Sequence, residues 1–177
     1  MSYERLWAPW RLPYIQGEGA EAEDLGTKGE FRPGADAMCF LCQGVAYPNP
    51  RRRYVVHRSE KSLTVLNRYP YNNGHLLVAP QSHRARLEEL TLDEQSDLFQ
   101  EIIRMVLLLE RVLRPEGFNV GLNLGPAAGA GLPGHLHWHI VPRWNGDTNF
   151  MPALAAVKVI PQALDALWDA LTRGLAN

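Results

Sequence analysis

No apolar run in this chain approaches the ~20 residues that a bilayer-spanning helix requires, so a single-helix membrane span is not expected. An excess of one charge is lacking as well. The 18 Lys and Arg nearly balance 19 Asp and Glu, for a formal net charge of -1. No global field therefore draws the chain to nucleic acid or a membrane surface. The start, Met1-Ser2-Tyr3-Glu4-Arg5-Leu6-Trp7, lacks the apolar stretch of a secretory signal, and a cytoplasmic location is expected. Cysteine is scarce. Cys39 and Cys42, a C-x-x-C, are the two present; in a cytosolic chain such a pair points to metal or redox chemistry rather than a structural disulfide. The Gly-rich loop Gly125–Gly134 lacks the G-x-x-x-x-G-K-[ST] pattern, which excludes a P-loop nucleotidase. No internal repeat and no magnesium ligand set is evident. The basic run Arg51-Arg52-Arg53 reads as a solvated turn.

What is present is ordinary in bulk and unusual in one place. At 177 residues, 46% hydrophobic and 21% charged, the chain is expected to form one soluble domain with a substantial core. Residues 16–37, rich in Gly, Glu, Ala and Asp, read as a mobile loop. Before them stand Trp7 and Trp10, which need a surface to cover, on this subunit or a partner. Tyr54–His57, Ser62–Asn67 and His75–Pro80 lean to strand, with the turn signal Tyr71-Asn72-Asn73-Gly74 making the last two a hairpin. Thr91-x-x-Glu94 is a capping box. It opens a helix with a stripe of Leu98, Ile102, Val106, Leu109 and Leu113, widened by Phe99, Ile103 and Val112 and ended by Pro115 and Gly117. A stripe that wide suits a sheet and also a second copy of itself. Phe118–Leu124 reads as a strand with Asn119, Gly121 and Asn123 on one face. Pro161 starts a C-terminal helix carrying Leu164, Leu167, Trp168 and Leu171. Strands, long helix, strands, helix predict an α+β fold with a mainly antiparallel sheet.

The unusual place is His135-Leu136-His137-Trp138-His139-Ile140-Val141-Pro142-Arg143. Its period of two predicts a strand with three imidazoles on one face, neighbours roughly 6.5–7 Å apart. Such histidines could be plain structural groups, ligands of one metal, or a catalytic row. The side-chain-poor loop ahead of them favours the last, because its backbone N–H groups could receive phosphate oxygens. An imidazole is a capable nitrogen nucleophile and proton carrier near pH 7.

His135-x-His137-x-His139-Ile140-Val141 resembles the signature of the histidine-triad (HIT) superfamily of nucleotide hydrolases and transferases, in which apolar residues separate the histidines. Ser62–Pro70 and Asn73–Pro80 resemble the family's nucleotide-contacting strands, and Leu90–Leu98 the start of its long helix. The resemblance covers roughly 39–145. The ending His139–Phe150 and the Trp7/Trp10 start look most like the bacterial branch related to diadenosine-tetraphosphate phosphorylase and hydrolase. It implies a HIT-like α+β fold, with an N-terminal arm at 1–38, a catalytic domain at 39–150 and a C-terminal extension with a helix at 151–177. It implies that His137 attacks the α-phosphorus to give a nucleotidyl-histidine. His139 binds phosphate oxygens and helps move protons, and His75 supports the triad. Asn67 meets the ribose, Asn123 the scissile phosphate, and Gly129 and Gly131 belong to the nucleotide-binding loop. Cys39, Cys42, His83 and His135 match the ligands of a structural zinc site in related proteins; no organic cofactor is implied.

The expected substrate is a dinucleoside polyphosphate, diadenosine tetraphosphate foremost, with water or phosphate as acceptor. The alternatives are adenosine phosphoramidate hydrolysis and a nucleotide-binding protein with little turnover. The expected partners are the nucleotide and a second copy of the chain, with no nucleic acid and no membrane. One departure stands out: Gly129–Gly134 carries no polar side chain where many triad hydrolases have Gln, Ser or Thr.

Overall fold

A computed structural model of the protein describes residues 29–149, 151, 154 and 159–176; Trp7, Trp10 and residues 16–28 lie outside them. β1 (Val55–Arg58), β2 (Ser62–Leu66) and β3 (Leu76–Pro80) form an antiparallel meander. β4 (Gly117–Leu122) pairs antiparallel with β5 (Trp138–Arg143), and β5 lies against β3. The order is β1-β2-β3-β5-β4, the antiparallel α+β arrangement expected.

Alternation along each strand separates two faces. On one, Leu66, Leu76, Val78 and Ile140 pack against α2 (Leu92–Leu113) and α3 (Leu164–Ala176). On the other, Leu63, Val65, Leu77 and Ala79 meet Cys39, Leu41 and Cys42. Cys39 caps the short helix α1 (Phe40–Ala46), and Leu41 and Cys42 lie in its first turn. That helix was not expected, because seven residues hold too little pattern to be recognised. His139 is opposite Leu77 in the register, so it belongs to this second face.

α2 starts as its capping box requires. The Glu94 N–H donates to Thr91 Oγ1 at 3.2 Å, and the Thr91 N–H to the Glu94 carboxylate at 2.9 Å. Its buried face is Leu98, Glu101, Ile102, Met105, Leu108 and Leu109. The expected stripe is therefore rotated: Val106 and Leu113 are marginal, while Phe99 and Ile103 are 66% and 54% exposed. The cause is α3, which starts at Leu164 rather than Pro161. Its Leu167 and Leu171 join the same core and draw the buried centre of α2 toward Met105 and Leu108. Glu101 is the polar member. Its carboxylate accepts from Thr64 Oγ1 at 2.7 Å and lies 2.9 Å from His57 Nδ1, so its burial is compensated and it ties α2 to β1 and β2.

Two expectations need correction. Arg51–Arg53 is a 3-10 turn, but more than a solvated one. Arg51 pairs with Asp169 of α3, and Arg53 donates to Gln43 Oε1 at 2.7 Å and covers the Tyr47 ring. Of the stretch read as a mobile loop, residues 29–37 are tied down. The Glu30 N–H donates to the Ala46 carbonyl, Gln43 donates to the Ala37 carbonyl, and Phe31 packs edge-on against Tyr47.

The turn Tyr71–Gly74 joins β2 to β3 and sets where His75 begins. Gly74 has φ +78°, and a Cβ there would stand 2.6 Å from Leu113 Cδ1 and 3.0 Å from Pro142 Cγ. Gly74→Ala therefore meets both backbone strain and a clash. The expected cost is about 1–3 kcal/mol, seen as a lower urea midpoint with an unchanged m-value; a midpoint equal to wild type would refute it.

Candidate active site

The histidine segment is not one continuous strand. β5 begins at Trp138, and the Leu136 N–H bonds the Arg84 carbonyl at 2.6 Å in the loop after β3. His135 and His137 thus precede the strand, and the expected row of three imidazoles divides into two tasks. His135 turns toward the cysteines, at 3.3 Å from Cys39 Sγ. His137 and His139 stay together, ring centroids 5.1 Å apart.

Backbone partners determine which ring nitrogens bear protons, since a carbonyl only accepts and an N–H only donates. His137 Nδ1 lies 2.8 Å from the His135 carbonyl, so in the neutral ring Nδ1 carries the proton and Nε2 is a lone pair. His75 Nδ1 receives the Tyr71 N–H at 3.0 Å, so in the neutral ring Nε2 carries the proton. That Nε2 lies 2.9 Å from His139 Nδ1 and donates to it. His139 is then protonated at Nε2, a buried atom without a partner among the described residues. The site presents a lone pair on His137 and an unsatisfied donor on His139. A nucleophile beside a donor is what attack on a phosphoryl group needs.

Burial favours the neutral forms of His75, His139 and His135. Desolvation, with His139 and His137 adding like charge, pushes His75 down to about 3. Desolvation and then His137 push His139 down to about 4. His135 falls to about 4, mainly by desolvation.

The four expected metal ligands converge. One ligand atom from each of Cys39, Cys42, His83 and His135 lies within 4.8 Å of every other. Cys42 Sγ is 3.2 Å from His83 Nδ1 and 3.6 Å from His135 Nδ1. Tetrahedral Cys2His2 coordination of zinc requires S···N edges of about 3.6 Å, so the donor set fits a divalent cation. His135 Nε2 donates to the Pro80 carbonyl at 2.9 Å, leaving Nδ1 as the lone pair facing the sulfurs. Burial pushes the Cys42 thiol up to about 11, so a thiolate here calls for a compensating positive charge.

The remaining expected residues are placed unevenly. Asn67 follows β2; its Oδ1 accepts the Tyr69 N–H at 2.9 Å, and its amide nitrogen lies 3.3 Å from His75 Nδ1. Asn123 lies just past β4 and is half-buried. Gly121, two residues earlier, pairs with His139, so Asn119 and Gly121 share the face of His139, whereas β4 ends at Leu122, before Asn123. The glycine loop departs from expectation. The Gly129 N–H is given to the Pro126 carbonyl, and those of Ala128 and Ala130 to Gly125. Three loop amides thus close its own turn and do not point at a ligand. Gly131 has open space around it. Tyr71 was missed: its ring stacks on His139 at 5.7 Å and 13°, and lies 4.8 Å from His75. The turn signal that placed its backbone carried no sign of its ring.

A profile of the HIT domain family matches residues 51–146, and the chain belongs to the histidine-triad family. An "AP-4-A phosphorylase" of Mycobacterium tuberculosis is 38% identical over 161 residues, 91% of this chain and 78% of that one. A "bis(5'-nucleosyl)-tetraphosphatase [asymmetrical]" of Schizosaccharomyces pombe is 37% identical over 93 residues, 52% of this chain and 50% of that one. Among solved structures, a hypothetical histidine triad nucleotide-binding protein of Sulfolobus tokodaii superposes with TM-score 0.62 at 25% identity, over 78% of this chain and 92% of that one. A Zn-bound histidine triad family protein of Mycobacterium smegmatis does so with TM-score 0.57 at 25% identity, over 70% and 84%.

Stability should depend on pH with a definite sign. His75 and His139 have folded values of about 3 and about 4, below the usual imidazole value near 6.5. As pH falls through about 6.5, the unfolded chain takes up protons that the fold refuses, so stability is complete above that point and is lost toward pH 4. Urea midpoints should fall steadily from pH 7 to 4.5, and less steeply in His139→Asn. A flat profile would contradict the neutral pair.

Proposed function

We propose that the protein cleaves dinucleoside polyphosphates, diadenosine tetraphosphate foremost, through a nucleotidyl-His137 intermediate. The observation that carries this reading is the pairing of a lone pair on His137 Nε2 with the partnerless Nε2–H of His139. His137 Nε2 bonds to the α-phosphorus as the bridging oxygen departs with the rest of the polyphosphate. His139 donates to a phosphate oxygen, and His75 holds His139 in the donor tautomer. Asn123 reaches the scissile phosphate and Asn67 the ribose, while Gly129 and Gly131 act as the loop's turn and its open wall. A second attack, on the nucleotidyl-histidine, regenerates the imidazole. Phosphate is the acceptor we assign, because the relative named as a phosphorylase aligns along 91% of this chain and the one named as a tetraphosphatase along 52%.

The Cys39, Cys42, His83, His135 cluster holds zinc in a closed structural site, which no step of the reaction uses. The division into an arm at 1–38, a catalytic domain at 39–150 and an extension at 151–177 belongs to the same reading. So does a homodimer. Phe99, Ile103 and Leu107 stand four residues apart on α2, each more than half exposed, a stripe that suits a second copy. Among the described residues no helix is long and apolar enough to cross a membrane; we place the protein in the cytoplasm.

With diadenosine tetraphosphate and phosphate, ADP and ATP should appear in equal amounts, and AMP with ATP only slowly when phosphate is withheld. His137→Ala should lose roughly a thousandfold or more in kcat. Quenched wild-type reactions should contain a chain heavier by one AMP at His137. Turnover that survives in His137→Ala, or no adduct under single-turnover conditions, would overturn the reading. Adenosine phosphoramidate as the better substrate would replace it.

Metal content tests the cluster separately. Elemental analysis should find one zinc per chain, absent from Cys39→Ser/Cys42→Ser, with a lower melting temperature in that variant. A full zinc complement in the variant would point to the triad as ligands instead.

A further inference from the structure

We propose that Tyr71 is a positioning residue that keeps His139 as an Nε2–H donor facing the phosphate oxygens, an inference that rests on the phosphoryl-transfer reading above. One residue touches both supporting histidines in different ways. Its N–H occupies His75 Nδ1 at 3.0 Å, which forces the His75 proton to Nε2 and so directs it at His139. Its ring lies nearly parallel to His139, 13° at 5.7 Å, and tilted over His75, 36° at 4.8 Å.

The layering makes the ring a cover. His75 is fully buried, whereas Tyr71 is 54% exposed. The ring is thus an outer layer packed against both imidazoles of the 2.9 Å His75–His139 hydrogen bond. Stacked arrangements of this kind fix ring orientation as well as bury area.

The consequence for chemistry follows from the tautomer. Water reaching His139 Nδ1 could donate or accept there, so both neutral tautomers would be populated. The wrong one turns a lone pair at Nε2 toward an anionic oxygen. His139 Nε2 has no partner among the described residues, and a Cβ built on its register neighbour Gly121 meets nothing within 4 Å. The donor side of the ring is therefore held only through its other nitrogen and its face, which are the two parts Tyr71 governs.

Long-range proton–nitrogen correlation spectra of the 15N-labelled full chain at pH 7.5 read the tautomer directly. Wild type should show His139 protonated at Nε2, and Tyr71→Phe, which keeps the ring, should show the same with kcat within about threefold. Tyr71→Leu should average the two His139 nitrogen shifts and lower kcat by roughly 10- to 100-fold, with KM changed by less than about threefold. Tyr71→Met, a flexible apolar replacement, should behave as Tyr71→Leu and serves if that variant does not fold. A wild-type proton on His139 Nδ1, or unchanged nitrogen shifts in Leu and Met variants, would overturn the role of Tyr71. The spectra need no turnover, so they stand apart from the His137 adduct that decides the reaction.

Discussion

His135, His137 and His75 each have one ring nitrogen committed to a backbone group whose own role cannot change, and that commitment decides what the other nitrogen does, for His139 by way of His75. The His135 carbonyl takes the His137 Nδ1–H, the Pro80 carbonyl faces His135 Nε2, and the Tyr71 N–H fills His75 Nδ1. Carbonyls and amides do not titrate, so the pattern does not shift with pH as long as the rings stay neutral. The outcome is one ring with a lone pair toward the sulfurs, one with a lone pair for attack and one with an open donor. Three chemically identical side chains within five residues acquire three roles, His135 and His137 from a backbone carbonyl and His139 from the His75 ring.

The sheet makes this possible by separating stability from chemistry. One face carries the large apolar core, with Leu76, Val78, Met105, Leu108, Leu109 and Ile140 closed by α2 and α3. Full burial of such side chains contributes about 1.5–3 kcal/mol each, against which one strained or unsatisfied group on the other face is small. The other face holds the ligand cluster and His139, with His75 and His137 just ahead of β3 and β5, strands whose opposite sides are already anchored. The partnerless His139 Nε2 is affordable there, and it is the kind of local deficit expected where a ligand belongs.

Much of this was legible in the chain because period and punctuation are local. The capping box at Thr91, the hairpin around Tyr71–Gly74 and the alternation of Asn119 and Gly121 each follow from spacing alone. What was not legible depends on third parties. The α2 stripe is rotated because α3 covers Met105 and Leu108, and no pattern within residues 92–113 records a helix 50 residues later. The strand expected from His135 starts at Trp138 because Leu136 pairs with Arg84. The glycine loop was expected to present amides outward, but Gly125 and Pro126 take up three of them. Tyr71 escaped notice because a ring stacking on histidines needs the hairpin and β5 brought together first.

The low acidity constants of the supporting histidines raise a question of magnitude that the geometry answers. An imidazole with its ordinary value near 6.5 is already mostly neutral at pH 7, so burial barely enlarges the neutral fraction. Its effect lies elsewhere: His139, pushed down to about 4, is a donor but not an acid in the free protein. A phosphate anion arriving about 4 Å from it changes the balance. A nearby negative charge favours the protonated imidazole, so it moves the value of His139 back up from about 4. On the proposed reading, then, the substrate's own charge strengthens the Nε2–H donor of His139, and only while its phosphates occupy the site. A residue that became acidic without substrate would present a buried cation beside two other imidazoles, and the fold disfavours that by the same desolvation that lowers the constant.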